Sequence, residues 1–273
     1  MKRIIICADD FGYNEAVSSG IIKLLHYGTI NATSCMVNMP ISKTHAQQLI
    51  NTVTDNTDIG LHLNFTEGVG LSNGKPFQPL KSLLIKSHLN QLDYQHVYTE
   101  IMSQVKKFIQ LFNKNPDFID GHQHVHHLPT IRKALIHAYF DIKLDKSSTY
   151  IRSVANIAGR KSVKTHIIKS TGANNLLKLL KKFNIPTNNN FSGIYNFDHT
   201  VPFSKTMSDA YHKIQDKGII MCHPGLNSIE SDVLQNSRPK EFEYLLSEQC
   251  RSDQRENNIV LESGRKLFNT SKN

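Results

Sequence analysis

The sequence has little of what holds small secreted proteins together or anchors a chain in a membrane. It contains 4 cysteines in 273 residues and no tryptophan. The cysteines are far apart and form no CxxC pair, which argues against a disulfide framework or a zinc knuckle. No apolar run approaches the roughly 18–20 residues of a membrane helix. The run from Ile4 to Ala8 stops at Asp9 and is too short for a signal-peptide core. These absences predict a cytoplasmic protein with reduced thiols and no membrane partner.

Positive charge is in excess but is not concentrated in one place. The chain carries 32 Lys and Arg against 23 Asp and Glu, a formal net charge of +9. The densest basic group is Lys178, Lys181 and Lys182, in a segment whose leucines repeat with a helical period. A helix packed on the protein body with a solvated basic edge explains this pattern better than a nucleic-acid or membrane surface. We therefore do not expect nucleic acid as a partner.

Strand-like apolar runs alternate with segments of helical period along the whole chain. This alternation is typical of βα units around a parallel sheet. About seven such units indicate a closed or partly closed (β/α) barrel, and no linker interrupts residues 1–273, so we expect a single α/β domain. A long Gly- and Pro-rich loop is predicted between the third strand and a helix starting at Tyr98, and the last helix is predicted at 241–249. The predicted strands are 3–7, 33–37, 59–63, 118–120, 150–152, 191–195 and 219–222.

Acidic and imidazole side chains stand where the predicted strands end. Asp9 and Asp10 follow the first strand, His62 ends the third, His122 follows the fourth and His223 follows the last. Active sites of α/β barrels are built at the carboxyl ends of the strands. The pattern therefore predicts that these side chains meet in one site.

Each residue also has a simpler explanation. Asp10 is a candidate N-cap for a helix beginning near Asn14, because carboxylates commonly cap helices. The four histidines between positions 122 and 127 could form a solvent-exposed tract with adventitious metal affinity. All of these explanations would have to hold together at one rim of the barrel, which favours a functional site.

The residue types suit a single metal ion. A catalytic zinc-type centre uses three protein ligands and leaves one position open, and two histidines with one aspartate supply that number. Hydrolysis also needs a base for water and an acid for the leaving group, which a second carboxylate and a further histidine would provide.

Five motifs, in order over positions 8 to 225, resemble those of the YdjC/ChbG family of carbohydrate deacetylases. The motifs are Ala8–Gly12, Thr33–Pro40, Gly60–Gly68, Asp120–His126 with Pro129 after it, and Cys222–Gly225. The resemblance implies a distorted TIM-like barrel that removes acetyl groups from N-acetylated sugars, including chitooligosaccharides, by metal-activated attack of water. It implies Mg²⁺ as the divalent ion, whereas the ligand types favour Zn²⁺. The resemblance is also compatible with assembly as a homodimer.

The family's functional residues fall on definite positions of this chain. The resemblance implies Asp10, His62 and His122 as metal ligands. By analogy with related polysaccharide deacetylases, it implies Asp9 as the base and His223 as the acid. Arg152, after a short predicted strand, would orient a carboxylate or bind the substrate.

Some questions stay open at this level. The frequent family His at position 123 is Gln here, and roughly positions 155–190 show no match. The roles of Asp9 and Asp10 are not separated, because neighbours on a strand face opposite sides unless the chain turns, as Gly12 would allow. Another metal-dependent barrel hydrolase, such as a phosphoesterase with a second metal, and a non-catalytic sugar-binding protein are the alternatives.

Overall fold

A computed structural model describes residues 1–41, 43–159, 168–198, 200–230 and 232–268. Its strands form one parallel sheet in the order β5-β4-β3-β2-β1-β7-β6, and β8 pairs with the beginning of β1. The strands are β1 (Lys2–Phe11), β2 (Ala32–Cys35), β3 (Asp58–Leu63), β4 (Phe118–Gly121), β5 (Tyr150–Ile151), β6 (Phe191–Ser192), β7 (Gly218–Cys222) and β8 (Ile259–Leu261).

Helices follow most of the strands. A short 3₁₀ helix (His122–His127) follows β4, and a π-helical turn (Lys169–Ala173) precedes α6. Within the described ranges, no helix has the length and apolar character needed to cross a membrane. The helices are α1 (Glu15–Tyr27), α2 (Lys43–Thr52), α3 (Leu80–His88), α4 (Tyr94–Phe112), α5 (Pro129–Asp141), α6 (Asn174–Lys182), α7 (Phe203–Lys213), α8 (Arg238–Leu245), α9 (Glu248–Glu256) and α10 (Gly264–Leu267).

Strand β1 is the centre of the sheet because it pairs with β2, β7 and β8. Ile4, Ile5 and Ile6 are completely buried although they alternate between the two faces. A parallel strand covered on both faces needs such an unbroken apolar run. The run in the sequence therefore specifies the strand that later carries Asp9 and Asp10.

The sheet is curled rather than flat. The segment after β5 returns to β6 through a parallel bridge between Ile157 and Phe191, so the two ends of the strand order approach each other. The predicted barrel-like α/β fold with about seven strands is confirmed. The short strand β8, which has three residues, was not predicted.

Two helix predictions need correction. The predicted loop before Tyr98 contains α3, which buries Leu83 and Ser87 although its amphipathic pattern is weak. The helix predicted at 241–249 is two helices, because the Ser247 side chain accepts the backbone N–H of Cys250 and starts α9 as a new helix. A serine N-cap starts a new helix at this point. The apolar pattern of the sequence does not reveal this break.

A buried carboxylate fastens the last helix to the amino end of β3. Asp58 is completely buried, and its two oxygens accept hydrogen bonds from Ser263 Oγ at 2.7 Å and from the Gly264 N–H at 2.6 Å. Arg265 Nε and the Tyr150 hydroxyl also donate to it, at 2.9 and 3.2 Å. This cluster lies at the end of the strands away from Asp9 and Asp10, so it serves stability.

We expect Asp58→Ala to lower the free energy of unfolding by about 3 kcal/mol, because it leaves several buried donors without an acceptor. Chemical denaturation measures this loss. The control is Asp55→Ala, since Asp55 is exposed and should change stability by less than about 0.5 kcal/mol. Equal stability of both variants would contradict the role given to Asp58.

Candidate active site

The chain turns sharply where β1 ends. The pairing of β1 with β2 shifts register between Ala8 and Phe11, and Asp10 takes a left-handed backbone conformation with φ +72°. Gly12 follows with φ +93°, a conformation that glycine adopts at little cost. Because of this bulge, the side chains of both Asp9 and Asp10 line one cavity.

The helix-cap explanation for Asp10 is wrong. Helix α1 is capped by Asn14, whose side chain accepts the backbone N–H of Val17 at 2.9 Å. Asp10 is instead completely buried and points toward two imidazoles. Its unusual backbone conformation therefore serves the site rather than the helix.

Asp10, His62 and His122 converge from the ends of three different strands. Asp10 Oδ1 lies 2.9 Å from His122 Nδ1 and 3.4 Å from His62 Nε2. One potential ligand atom from each residue lies within 4.8 Å of the other two. These are the three residues that the family resemblance implies as metal ligands.

His62 is held by a second carboxylate on its far side. Its Nδ1 lies 2.6 Å from Asp120 Oδ1 and 3.0 Å from Ser34 Oγ, which leaves Nε2 directed at Asp10. Burial would lower the pKa of His62, but the charge of Asp120 and the hydrogen bonds to Asp10 and Asp120 raise it to about 10. The surroundings thus favour positive charge at this point.

This donor set fits a divalent cation. Two imidazoles and one carboxylate are the ligand types of a zinc-like catalytic centre. A carboxylate on the outer nitrogen of a ligating histidine fixes the ring and its tautomer, and Asp120 stands in that position relative to His62. The residues that would hold the ion are therefore already oriented by contacts within the chain.

A buried arginine binds the carboxylate of Asp9. Arg152 Nη1 and Nη2 donate to the two carboxylate oxygens of Asp9, each at 2.7 Å, and Arg152 also pairs with Asp120. Burial alone would raise the pKa of Asp9, but the charge and hydrogen bonds of Arg152 lower it. Asp9 is therefore held ionised in one orientation.

Arg152 itself does not line the cavity. Its side chain is completely buried, and its guanidinium lies 5.7 Å from the ring centres of both Phe118 and Phe191. Of the two roles predicted for Arg152, this placement suits orientation of a carboxylate and not contact with a substrate.

His223 enters the same cavity from the end of β7. The ring of Phe197 packs edge-on against the imidazole, with 5.3 Å between ring centres. Burial lowers the pKa of His223 to about 4, while Asp10 and Asp9 act in the opposite direction. The imidazole of His223 therefore feels the charges of Asp10 and Asp9 while it packs against the ring of Phe197.

The cavity is large and chemically mixed. It has a volume of about 680 Å³, within the range of small-molecule sites. Gln123, the position that departs from the family pattern, is exposed at its rim. Its apolar lining includes Leu80, Leu84, Leu128 and Ile168.

The histidines after β4 do not form an exposed tract. His126 and His127 are buried, and their Nε2 atoms contact the carbonyl oxygen of Arg152 at 3.0 Å and Thr171 Oγ1 at 2.8 Å. Burial lowers the pKa of both side chains. The cluster thus comprises one candidate ligand, His122, two further histidines that line the cavity, His124 and His127, and the buried His126.

Sequence reasoning missed the contribution of α8. Arg238 donates to Asp10 Oδ2 at 2.9 Å and also pairs with Asp232. Glu241, one turn later and completely buried, accepts the backbone N–H of His223 at 2.6 Å. The Arg-Pro pair at 238–239 marks a helix start, but nothing in the spacing indicates that this helix reaches the site.

We expect Arg152→Met to destabilise the protein by about 3–5 kcal/mol near pH 8, because two buried carboxylates lose their cation. Without Arg152, burial raises the pKa of Asp9 above its unfolded value, so the variant's native state binds more protons than its unfolded state. The variant should therefore regain stability as pH falls from about 8 to 5. Chemical denaturation at pH 8 and at pH 5 measures the difference in free energy of unfolding between the variant and the unsubstituted protein.

The control for that experiment is Arg3→Met. Arg3 forms a surface ion pair with Asp216 at 2.8 Å, so its loss should change the free energy of unfolding by about 0–1 kcal/mol. The difference in free energy of unfolding between Arg152→Met and the unsubstituted protein should shrink as pH falls. A difference that stayed constant with pH would contradict the proposed pairing of Arg152 with Asp9.

The amino-acid sequence of this chain is similar to those of known proteins. A carbohydrate deacetylase of Danio rerio is 33% identical over 165 residues, which cover 55% of this chain and 49% of that protein. A carbohydrate deacetylase of Clostridium beijerinckii is 27% identical over 276 residues, covering 95% of this chain and 97% of that protein. The chain thus spans about half the length of some curated relatives that it matches and nearly all of another.

Solved structures share the fold. A protein of Enterococcus faecalis V583, named for cellobiose-phosphate cleavage, superposes with a TM-score of 0.71 at 22% identity, covering 98% of this chain and 99% of that chain. A peptidoglycan N-acetylglucosamine deacetylase superposes with a TM-score of 0.53 at 10% identity, covering 99% of this chain and 89% of that one. The family model described as YdjC-like protein matches residues 3–256. The chain therefore belongs to the YdjC-like family.

Proposed function

We propose that this protein is a metal-dependent hydrolase that removes the acetyl group from an N-acetylated sugar. The observation that carries the proposal is the convergence of Asp10, His62 and His122 in a cavity that Asp9 and His223 also line. The names of the relatives from Danio rerio and Clostridium beijerinckii support carbohydrate deacetylation. A relative from Serratia marcescens, 28% identical over 56% of this chain, is named a chitooligosaccharide deacetylase.

The three convergent side chains would hold one divalent cation. Such an ion would polarise the acetyl carbonyl and lower the pKa of water. The donor set favours Zn²⁺, whereas the family resemblance implies Mg²⁺. Asp120 would keep the His62 ring in place, and Arg238 would occupy the outer oxygen of Asp10, leaving Oδ1 for the ion.

Asp9 and His223 would move the protons. Asp9, held ionised by Arg152, accepts the proton that water loses as its oxygen attacks the acetyl carbon. His223 gives a proton to the sugar nitrogen as the C–N bond breaks, which releases acetate and the free amine. Negative charge that develops on the acetyl oxygen favours the protonated imidazole, and so opposes the effect of burial on the pKa of His223.

The phosphoesterase alternative requires a second metal about 3.5–4 Å from the first. Cys7, Asp9 and Asp120 form another cluster of potential ligands among the described residues. Arg152 occupies it, since Nη2 donates to Cys7 Sγ at 3.0 Å and to Asp9 at 2.7 Å, and also pairs with Asp120. A cationic side chain at this point argues against a second metal ion.

We expect acetate release from at least one of N-acetylglucosamine, diacetylchitobiose and a 6-phosphorylated derivative, with activity lost on chelation and restored by Zn²⁺ or Mg²⁺. Coupled acetate assays and metal titration measure both. Phosphate release without acetate would favour the phosphoesterase. Sugar binding without turnover by the metal-loaded protein would favour the non-catalytic alternative.

Substitutions should separate the ligands from the base. Asp10→Asn is expected to weaken metal affinity, because it removes a charged ligand. Asp9→Asn is expected to keep the metal but lower kcat by roughly 10²–10⁴-fold, the usual contribution of a general base. Isothermal titration and kinetics measure the two effects, with His212→Ala as the control because His212 is exposed and on α7. Full activity and metal content in Asp10→Asn would contradict the assignment.

A further inference from the structure

Hydrogen bonds hold the rings of the buried His62, His126 and His127, whereas the partly buried His223 makes no ring hydrogen bond to the described residues. Its Nδ1 is buried and has no hydrogen-bond partner among the residues that the structure describes. His62, in contrast, is fixed by Asp120 through its Nδ1. Some other contact must fix the position of the His223 imidazole if it is to donate a proton at a defined atom.

Helix α8 holds the backbone of His223 at both of its polar atoms. Glu241 Oε2 accepts the His223 N–H at 2.6 Å, and Arg238 Nη1 donates to the His223 carbonyl oxygen at 3.4 Å. Both side chains are almost completely buried. Because they are three residues apart, they project from the same face of the helix.

The same helix is tied to the candidate metal ligands. Arg238 Nη2 donates to Asp10 Oδ2 at 2.9 Å. Gly225, two residues after His223, donates its N–H to the Arg238 carbonyl oxygen at 3.2 Å, and a Cβ at Gly225 would lie 3.2 Å from the Arg238 side chain. The close approach of this turn to α8 therefore connects the positions of His223 and Asp10.

The other oxygen of Glu241 connects α8 to the segment that follows β6. The Tyr195 hydroxyl donates to Glu241 Oε1. Tyr195 packs against Phe197, with 4.6 Å between ring centres, and Phe197 packs against the His223 ring. Phe197 has φ +55°, which is costly for a bulky side chain, and its carbonyl oxygen accepts from Ser237 Oγ at 3.1 Å.

From these contacts we propose that Glu241 is a positioning residue for His223. Its carboxylate fixes the backbone of His223, while Phe197 fixes the plane of the ring, so that the imidazole stands at a set place relative to Asp10. The inference rests on the proposed acid role of His223, and Glu241 acts through the backbone without contact with the substrate.

The central test compares Glu241→Ala with Glu241→Gln. We expect the alanine variant to lose roughly 10- to 100-fold in kcat, the scale of a misplacement of about 1 Å, with KM and Zn²⁺ affinity unchanged. Glutamine should recover most of the activity because its amide oxygen still accepts the His223 N–H. Exposed Glu243 on the same helix supplies the control, Glu243→Ala.

Several results would overturn the proposal. Unchanged kcat in Glu241→Ala would do so, as would loss of metal together with activity, or failure of glutamine to restore turnover. If the alanine variant does not fold, Glu241→Asp takes its place, because the shorter side chain keeps the charge but does not reach the N–H of His223. Equal activity of the Asp and Gln variants would then reject the role.

A substrate-independent measurement separates this inference from the proposed function. Nitrogen-15 spectra of histidine-labelled, metal-loaded protein report the His223 imidazole, which is identified by comparison with His223→Ala. We expect its signals to shift or broaden in Glu241→Ala but not in Glu243→Ala. If the unsubstituted protein released no acetate from any sugar, the proposed function would fail, and an unchanged His223 signal would separately reject the positioning role.

Discussion

The geometry of the site depends on one buried cation, the guanidinium of Arg152. It pairs with Asp9 on β1 and with Asp120 on β4, and Asp120 in turn holds His62 on β3. Three strand ends are thus fixed relative to one another by a side chain that is itself inaccessible to solvent. Such a group is costly to bury, and the two carboxylates and two flanking aromatic rings offset that cost.

Around this arginine the charged groups have separate tasks. Asp9 faces Arg152, whereas Asp10 faces the two imidazoles and Arg238. Each carboxylate therefore has its own cationic partner, and the two are not competing for one. This division is the observation that supports the proposed roles of Asp9 as base and Asp10 as ligand.

The alternation of strands and helices was predictable, since buried parallel strands require apolar runs such as 4–6. The residues of the candidate site were also indicated, because they follow strand ends. Arg238 and Glu241 were not, because their roles depend on where α8 packs after a long loop, and no local pattern encodes that position. Helix α3 was missed for a related reason, since its weakly amphipathic sequence follows a Gly- and Pro-rich stretch.

The left-handed backbone at Asp10 has a consequence for transplanting the site. A regular strand would present two consecutive aspartates to opposite faces. If only the two aspartates were introduced into another parallel strand, only one carboxylate would therefore enter the new pocket. A transfer of the site needs the whole bulge from Ala8 to Gly12, together with the arginine that pairs with Asp9. A search for similar sites by backbone shape would accordingly discriminate better than a search for the dipeptide.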